Sequence, residues 1–178
     1  TTTARPRCHS CLRPEKTCIC DLVCAVNNRT EVLIIQHPSE QYQAKGSARL
    51  LHLCLQNSRI EIGEQFEESQ WAQWLGEDKH NILLFPVNEN QKVFTYSADQ
   101  LLNHKPSRDQ AVLRLVIVDG TWRKARKLLH LNPTLAALPR LQLTSQPSNY
   151  HIRKAQQAHQ LATMEAAYWA LNELGEQY

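Results

Sequence analysis

The chain has 178 residues, of which 21% are charged and 42% hydrophobic, and its formal net charge is +3. That length suits one domain, or one domain with a small appendage, and no apolar run approaches the ~18 residues that a membrane span requires. So small a net charge says little about nucleic acid, leaving the distribution of charge to decide the matter. The opening "TTTARPRCHS" has neither a signal-type apolar stretch nor an initiator Met. A trimmed, cytoplasmic chain is expected.

Cysteines come first along the chain. Cys8, Cys11, Cys18 and Cys20 crowd "CHSCLRPEKTCIC", Cys24 follows, and Cys54 stands apart in "ARLLHLCLQN". With no sign of an oxidising compartment, a C-x-x-C followed by C-x-C reads as four thiolates for a structural Zn²⁺ rather than as disulfides. His9 and Cys24 are alternative ligands. Such a site would fold an arm over residues 1–28 that has too few apolar residues to fold alone, leaving 29–178 as the main domain. Cys54 reads as a small buried hydrophobe.

Strand-like and helix-like patterns then alternate. "EVLIIQ" is a compact apolar run ending at "HPSE", and Leu50, Leu51, Cys54 and Leu55 follow at helical spacing. "RIEI" alternates up to Gly63, and Trp71, Trp74 and Leu75 share one helical face. "NILLFPV" is a strand broken by Pro86, and "SADQLLNH" opens on a capping box of Ser97 and Gln100. "VLRLVIV" suits a strand covered on both faces, "RLQL" is a weaker fifth strand, and "ATMEAAYWALNELG" is a helix stopping at Gly175. The expected fold is α/β, with a mainly parallel sheet of about five strands flanked by helices.

Ligands of such a sheet bind beyond the carboxyl ends of its strands. "HPSE", Pro86, "DGTW" and "TSQPSNY" all fall there. Neither G-x-G-x-x-G nor a Walker loop is present among only five glycines, which argues against ordinary dinucleotide-binding and P-loop chemistry. Asp119 leaves its strand directly, where partial desolvation strengthens a carboxylate as a base. Gly120 permits a close approach, Thr121 can cap the next helix, and Trp122 offers a ring for stacking. An Asp or Thr here also suits a plain helix cap, and a Trp suits the core. Along the helix, Arg123, Lys124, Arg126 and Lys127 lie off the apolar face, with no acid between Gly120 and Asn132 to pair them, so phosphate binding is expected. A second cluster joins Tyr150 to His151, Arg153 and Lys154, an aromatic beside cations that suits a splayed RNA base.

"DGTWRKARKLL" after a buried strand, with "HPSE" and "LLFP" upstream, "YHIRK…LATMEA" downstream and the cysteine-rich arm in front, resembles the DTW-domain proteins. The resemblance implies a SPOUT-like fold with a knotted chain. It also implies transfer of the 3-amino-3-carboxypropyl group of S-adenosylmethionine to N3 of a uridine in tRNA, releasing methylthioadenosine. Under that reading Asp119 is the base and Glu40 the next carboxylate. Pro86, Asp119, Gly120, Thr121, Trp122, Leu143, Thr163 and Glu165 would serve the donor. His37, Arg123, Lys124, Arg126, Lys127, Tyr150, Arg153 and Lys154 would serve the RNA. The chain stops at Tyr178, earlier than many members, which leaves room for a further C-terminal segment. Two rivals share the same features: an S-adenosylmethionine-dependent RNA methyltransferase, and a zinc-containing RNA-binding module without turnover. No membrane and no obligate protein partner are expected.

Overall fold

In the computed structural model of the chain, residues 6–43, 46–87, 92–103, 112–143 and 163–176 are described. Among the described residues six strands form one sheet: β1 (Glu31–Gln36), β2 (Ser58–Ile62), β3 (Lys79–Leu84), β4 (Thr95–Tyr96), β5 (Val112–Asp119) and β6 (Arg140–Leu141), in the order β2-β1-β5-β3-β6-β4. Every pairing is parallel. The helices are α1 (Ala48–Cys54), α2 (Glu68–Leu75), α3 (Ala98–Asn103), α4 (Trp122–Leu131), α5 (Pro133–Ala137) and α6 (Thr163–Glu173). The expected parallel α/β sheet is present, with one strand more than the five anticipated.

Side chains alternate across each strand, so a strand buried on both faces must be apolar at every position. Val32 and Ile34 of β1, with Leu115 and Ile117 of β5, face a layer built from α1, α3 and α6. Leu33 and Ile35, with Val116, face the other layer, where Trp71 and Trp74 of α2, Leu128 and Leu129 of α4 and Leu135 of α5 lie. Each such aliphatic side chain contributes about 1.5–3 kcal/mol by leaving water. Trp71, Trp74 and Phe66 meet edge to face, with centroids 4.9–5.5 Å apart. Cys54 is only half-buried, because its position on α1 turns away from the layer that takes Leu51 and Leu55. The Ser97–Gln100 capping box forms as expected.

β1 and β5 are neighbours, yet the chain leaves them in opposite senses. After β1 it runs through α1, on one face, to β2. After β5 it runs through α4 and α5, on the other face, toward β6. That divergence opens the sheet's switch point, a crevice between the carboxyl ends of β1 and β5. Residues 144–162, which join β6 to α6 and on whose path a knot would turn, lie outside the described residues.

Candidate functional site

The crevice is defined by register. Gln36 and Asp119, the last residues of β1 and β5, are Cα partners, so both side chains project on the same face. Asp119 is 2% exposed. Its Oδ2 accepts from Gln36 Nε2 at 2.9 Å and its Oδ1 accepts from Thr163 Oγ1 at 2.6 Å. Both donors are neutral, so the carboxylate is oriented without a described cation neutralising it. Each oxygen keeps a further lone pair for another partner.

The β1 turn closes over this centre. His37 N–H donates to the Asp119 carbonyl at 3.0 Å, and His37 Nδ1 accepts from the Ser39 N–H at 3.2 Å, capping a single turn of 3₁₀ helix over Pro38–Glu40. The other ring nitrogen, Nε2, lies 2.6 Å from Glu64. Gly120 lies between this turn and α4: a Cβ there would stand 3.2 Å from Lys124 Cβ and 3.6 Å from His37 Cβ. The close approach, not an unusual φ, is what glycine allows here. Thr121 is exposed and caps α4, accepting from the Lys124 N–H at 3.4 Å. Trp122 is half-buried, with its ring centroid 5.5 Å from that of Phe85, on the β3 side of the switch point.

The basic face of α4 needs correction. Lys124 pairs with Glu40 at 2.8 Å, Glu40 being 4% exposed, and Lys127 pairs with Glu64 at 2.6 Å. The local sequence holds no acid because the acids arrive from the β1 turn and from the segment after β2. Two of the four cations therefore tie α4 to the crevice wall. Arg123 and Arg126 are exposed and have no ion pair with a described carboxylate. Of the other expected site residues, Pro86 lies exposed two positions past β3, Leu143 is half-buried two positions past β6, and Glu165 is in the first turn of α6. Tyr150, Arg153 and Lys154 lie outside the described residues.

A second centre lies in the arm. The sulfurs of Cys8, Cys11, Cys18 and Cys20 all lie within 4.8 Å of one another, with Cys8–Cys20 at 3.5 Å and Cys11–Cys18 at 3.7 Å. Tetrahedral Zn–S bonds of about 2.3 Å imply sulfur–sulfur edges of about 3.8 Å, so the four thiolates fit such an ion. His9 and Cys24 are not part of the group. Leu12 is held at φ 60°, a left-handed conformation that costs a non-glycine residue about 1 kcal/mol and that folds the chain tightly between two of the ligands. Burial opposes ionisation of Cys11, but the Ile19 and Arg13 N–H groups and the neighbouring thiols draw its pKa down to about 6. Hydrogen bonding to Cys18 and Cys8 pushes Cys20 up to about 12. The Cys11 and Ser10 N–H groups lower Cys8; the Cys20 N–H opposes a rise in Cys18 that the Cys8 and Cys11 thiols impose. Four thiolates this close repel one another unless a cation is shared among them.

A model of the DTW domain matches residues 5–178. The chain is similar to the mouse protein named tRNA-uridine aminocarboxypropyltransferase 2, being 30% identical over 175 residues that cover 94% of this chain and 56% of the mouse protein. It is similar also to the Drosophila melanogaster protein of the same name, 26% identical over 92% of this chain and 64% of that protein. The Arabidopsis thaliana tRNA-uridine aminocarboxypropyltransferase A is 29% identical over 70% of this chain and 50% of its own length. The chain thus spans between about half and two thirds of the length of the curated relatives it matches. No solved structure matches it. With the motif "DGTW" at the switch point of the sheet and the family match running through the arm and the sheet alike, the chain belongs to the DTW domain family.

Proposed function

We propose that this protein transfers the 3-amino-3-carboxypropyl group of S-adenosylmethionine to N3 of a uridine in tRNA, within the cytoplasm. The observation that carries the reading is the oriented Asp119 carboxylate at the crevice, in a chain whose family match covers nearly its whole length. Uridine N3 is a poor nucleophile while it holds its proton. Asp119 accepts that proton as the N3–Cγ bond forms, the S–Cγ bond breaks, and methylthioadenosine leaves with the electron pair. The sulfonium activates three carbons alike, so the carbon held in line with N3 decides the product. Gln36 and Thr163 hold the Asp119 carboxylate. Phe85, Trp122 and Leu143, on the β3 and β6 side, suit a SPOUT-like, knotted donor pocket. Arg123 and Arg126 suit tRNA phosphates. Zn²⁺ on Cys8, Cys11, Cys18 and Cys20 is structural, since four protein ligands leave no open position.

The test is to incubate protein, donor and an unmodified tRNA transcript and to weigh the nucleoside and cofactor products. Methylthioadenosine with a carboxypropylated uridine is expected. S-adenosylhomocysteine with a methylated base would replace the reading with a methyltransferase, and no product in spite of tRNA binding would leave a binding module.

A further inference from the structure

The arm does not stand apart from the crevice. Arg13 donates to the Gly46 carbonyl at 3.3 Å, Arg49 of α1 donates to the Ser10 carbonyl at 2.8 Å, and the Arg7 guanidinium lies 5.0 Å from the centroid of the Tyr42 ring. Between arm and β1 turn these contacts leave a shallow surface groove, its floor holding only about 10 Å³ of free space, whose walls include Leu12, Arg13, Gln36, Glu40, Tyr42 and Arg49. Its inner end is thus Gln36, the side chain that holds Asp119. Its outer rim is Tyr42, 56% exposed.

We infer that the rim of this groove, with Arg7, Arg13, Tyr42 and Arg49, is the acceptor subsite, across which the tRNA strand on one side of the target uridine lies, a reading that rests on the proposed function. Three features make its chemistry that of RNA. Arg7, Arg13 and Arg49 contact backbone carbonyls or a ring, and none pairs with a described carboxylate. Each guanidinium commits one N–H to a carbonyl and keeps others for phosphate oxygens. The one carboxylate in the wall, Glu40, is already paired with Lys124. An exposed aromatic beside arginines is the arrangement that stacks an unpaired base while its phosphates are held. The sheet order separates the two substrates: the groove lies on the β1 side of Asp119, whereas the Phe85–Trp122 contact and Leu143, on opposite faces of the sheet, lie on the β3 and β6 side. Nucleophile and donor thereby approach the carboxylate from opposite flanks, and the zinc arm becomes a wall of the acceptor site.

The experiment measures binding of an unmodified tRNA transcript to the full chain at several salt concentrations, alongside donor binding by calorimetry and zinc content. The variants are Tyr42→Glu, the double change Arg13→Gln with Arg49→Gln, and Arg59→Gln on β2 as a control. Tyr42→Glu and the double change are each expected to weaken tRNA binding at least about tenfold with donor affinity unchanged, and the double change to reduce the salt slope by about two. Arg59→Gln should leave both affinities within about twofold. If the double change releases zinc, Tyr42→Glu decides, since it leaves Arg13 and Arg49 in place to hold the arm. tRNA affinity within about twofold of wild type in Tyr42→Glu overturns the groove, as does a wild-type protein that binds no tRNA. Wild-type protein that binds tRNA through the groove yet forms no carboxypropyl product would sink the proposed function and leave the groove standing. Normal transfer with an unchanged KM for tRNA in Tyr42→Glu would do the reverse.

Discussion

The same two strands carry a carboxylate at each end, and the two ends treat it differently. At the start of β1, Glu31 is the register partner of Arg114 on β5. It accepts from Lys79 at 2.7 Å and from Arg114 Nε at 3.0 Å, with a further bond from Arg114 Nη2. Five residues on, Gln36 is the register partner of Asp119, whose described donors are an amide and a hydroxyl. One carboxylate is paired with two cations, and the other is buried with only neutral donors described. Stability does not require the second arrangement, because a polar pair or a cation would satisfy the same atoms at lower cost. The difference is what leads us to propose the carboxyl end as the working end.

The largest expected effect breaks the comparison at Asp119. Asparagine there still accepts from Gln36 through its oxygen, while its amide can donate to the Thr163 hydroxyl, so Asp119→Asn should melt within about 2 °C of wild type. As a lost general base it should lower carboxypropyl transfer about 10²- to 10⁴-fold. A lowered melting temperature with near-normal transfer would make Asp119 a structural twin of Glu31.

Next in size is the cysteine-bound part of the arm, which reaches Gly46 and Arg49 beside the working end through Arg13 and Ser10. Cys11→Ser, or removal of zinc with a chelator, should release the arm from Gly46 and α1 and reduce transfer at least about tenfold. Far-ultraviolet circular dichroism should stay close to that of the untreated protein, because Val26 and Asn28, which tie the arm to Leu55, Thr30 and Asn57, lie beyond the thiolate cluster and keep their contacts. Protein purified without chelator should contain one zinc per chain; finding no metal would end the zinc reading.

At the other end, Glu31→Gln should act on stability alone. The pair is partly exposed, with Glu31 at 29% and Arg114 at 13%, so the cost should fall to about 2 kcal/mol, below that of a fully buried pair. That lowers the melting temperature by about 4–8 °C, while transfer measured below the transition should stay within about twofold. Burial alone would raise the pKa of Glu31, but the hydrogen bonds and charges of Lys79 and Arg114 outweigh it and lower the pKa from 4.5. A carboxylate whose folded pKa is depressed adds stability that is present above its unfolded value and is lost as pH falls through the folded one. The gap between wild type and Glu31→Gln should therefore be full at neutral pH and close below pH ~4. A gap that persists in acid would mean the salt bridge is not its source.

How much of this was legible depends on range along the chain. "EVLIIQ" coincides with β1 and "VLRLVIV" with all but the last residue of β5, because strands buried on both faces announce themselves by an unbroken apolar run. Thr95–Tyr96 was not legible: two residues cannot show alternation, and their strand character comes from pairing with Arg140 and Leu141. Asp119 stood out because it ends a strand. Gln36 ends one too, yet its role depends on a register with a strand some eighty residues away. Glu64, which joins His37 to Lys127, has no local pattern at all. For the same reason α4 looked like an uncompensated basic face until two acids from other segments met it.

The smallest effect belongs to Thr121, and it tests whether "DGTW" is partly the ordinary turn that a strand followed by a helix requires. Thr121 caps α4 through one long hydrogen bond of 3.4 Å to the Lys124 N–H, at an exposed position. Replacing a cap costs about 0.5–2 kcal/mol, and a long exposed bond places Thr121→Ala at the low end, near 0.5 kcal/mol. The melting temperature should fall by about 1–2 °C. α4 is also held by Leu128 and Leu129 and by the Lys124–Glu40 and Lys127–Glu64 pairs, so its position beside the crevice should survive. Transfer should then drop less than about threefold, far from the loss expected for Asp119→Asn. If instead Thr121→Ala cuts transfer a hundredfold with the melting temperature intact, the start of α4 contacts a substrate directly. The working end would then include the helix N-terminus as well as the carboxylate.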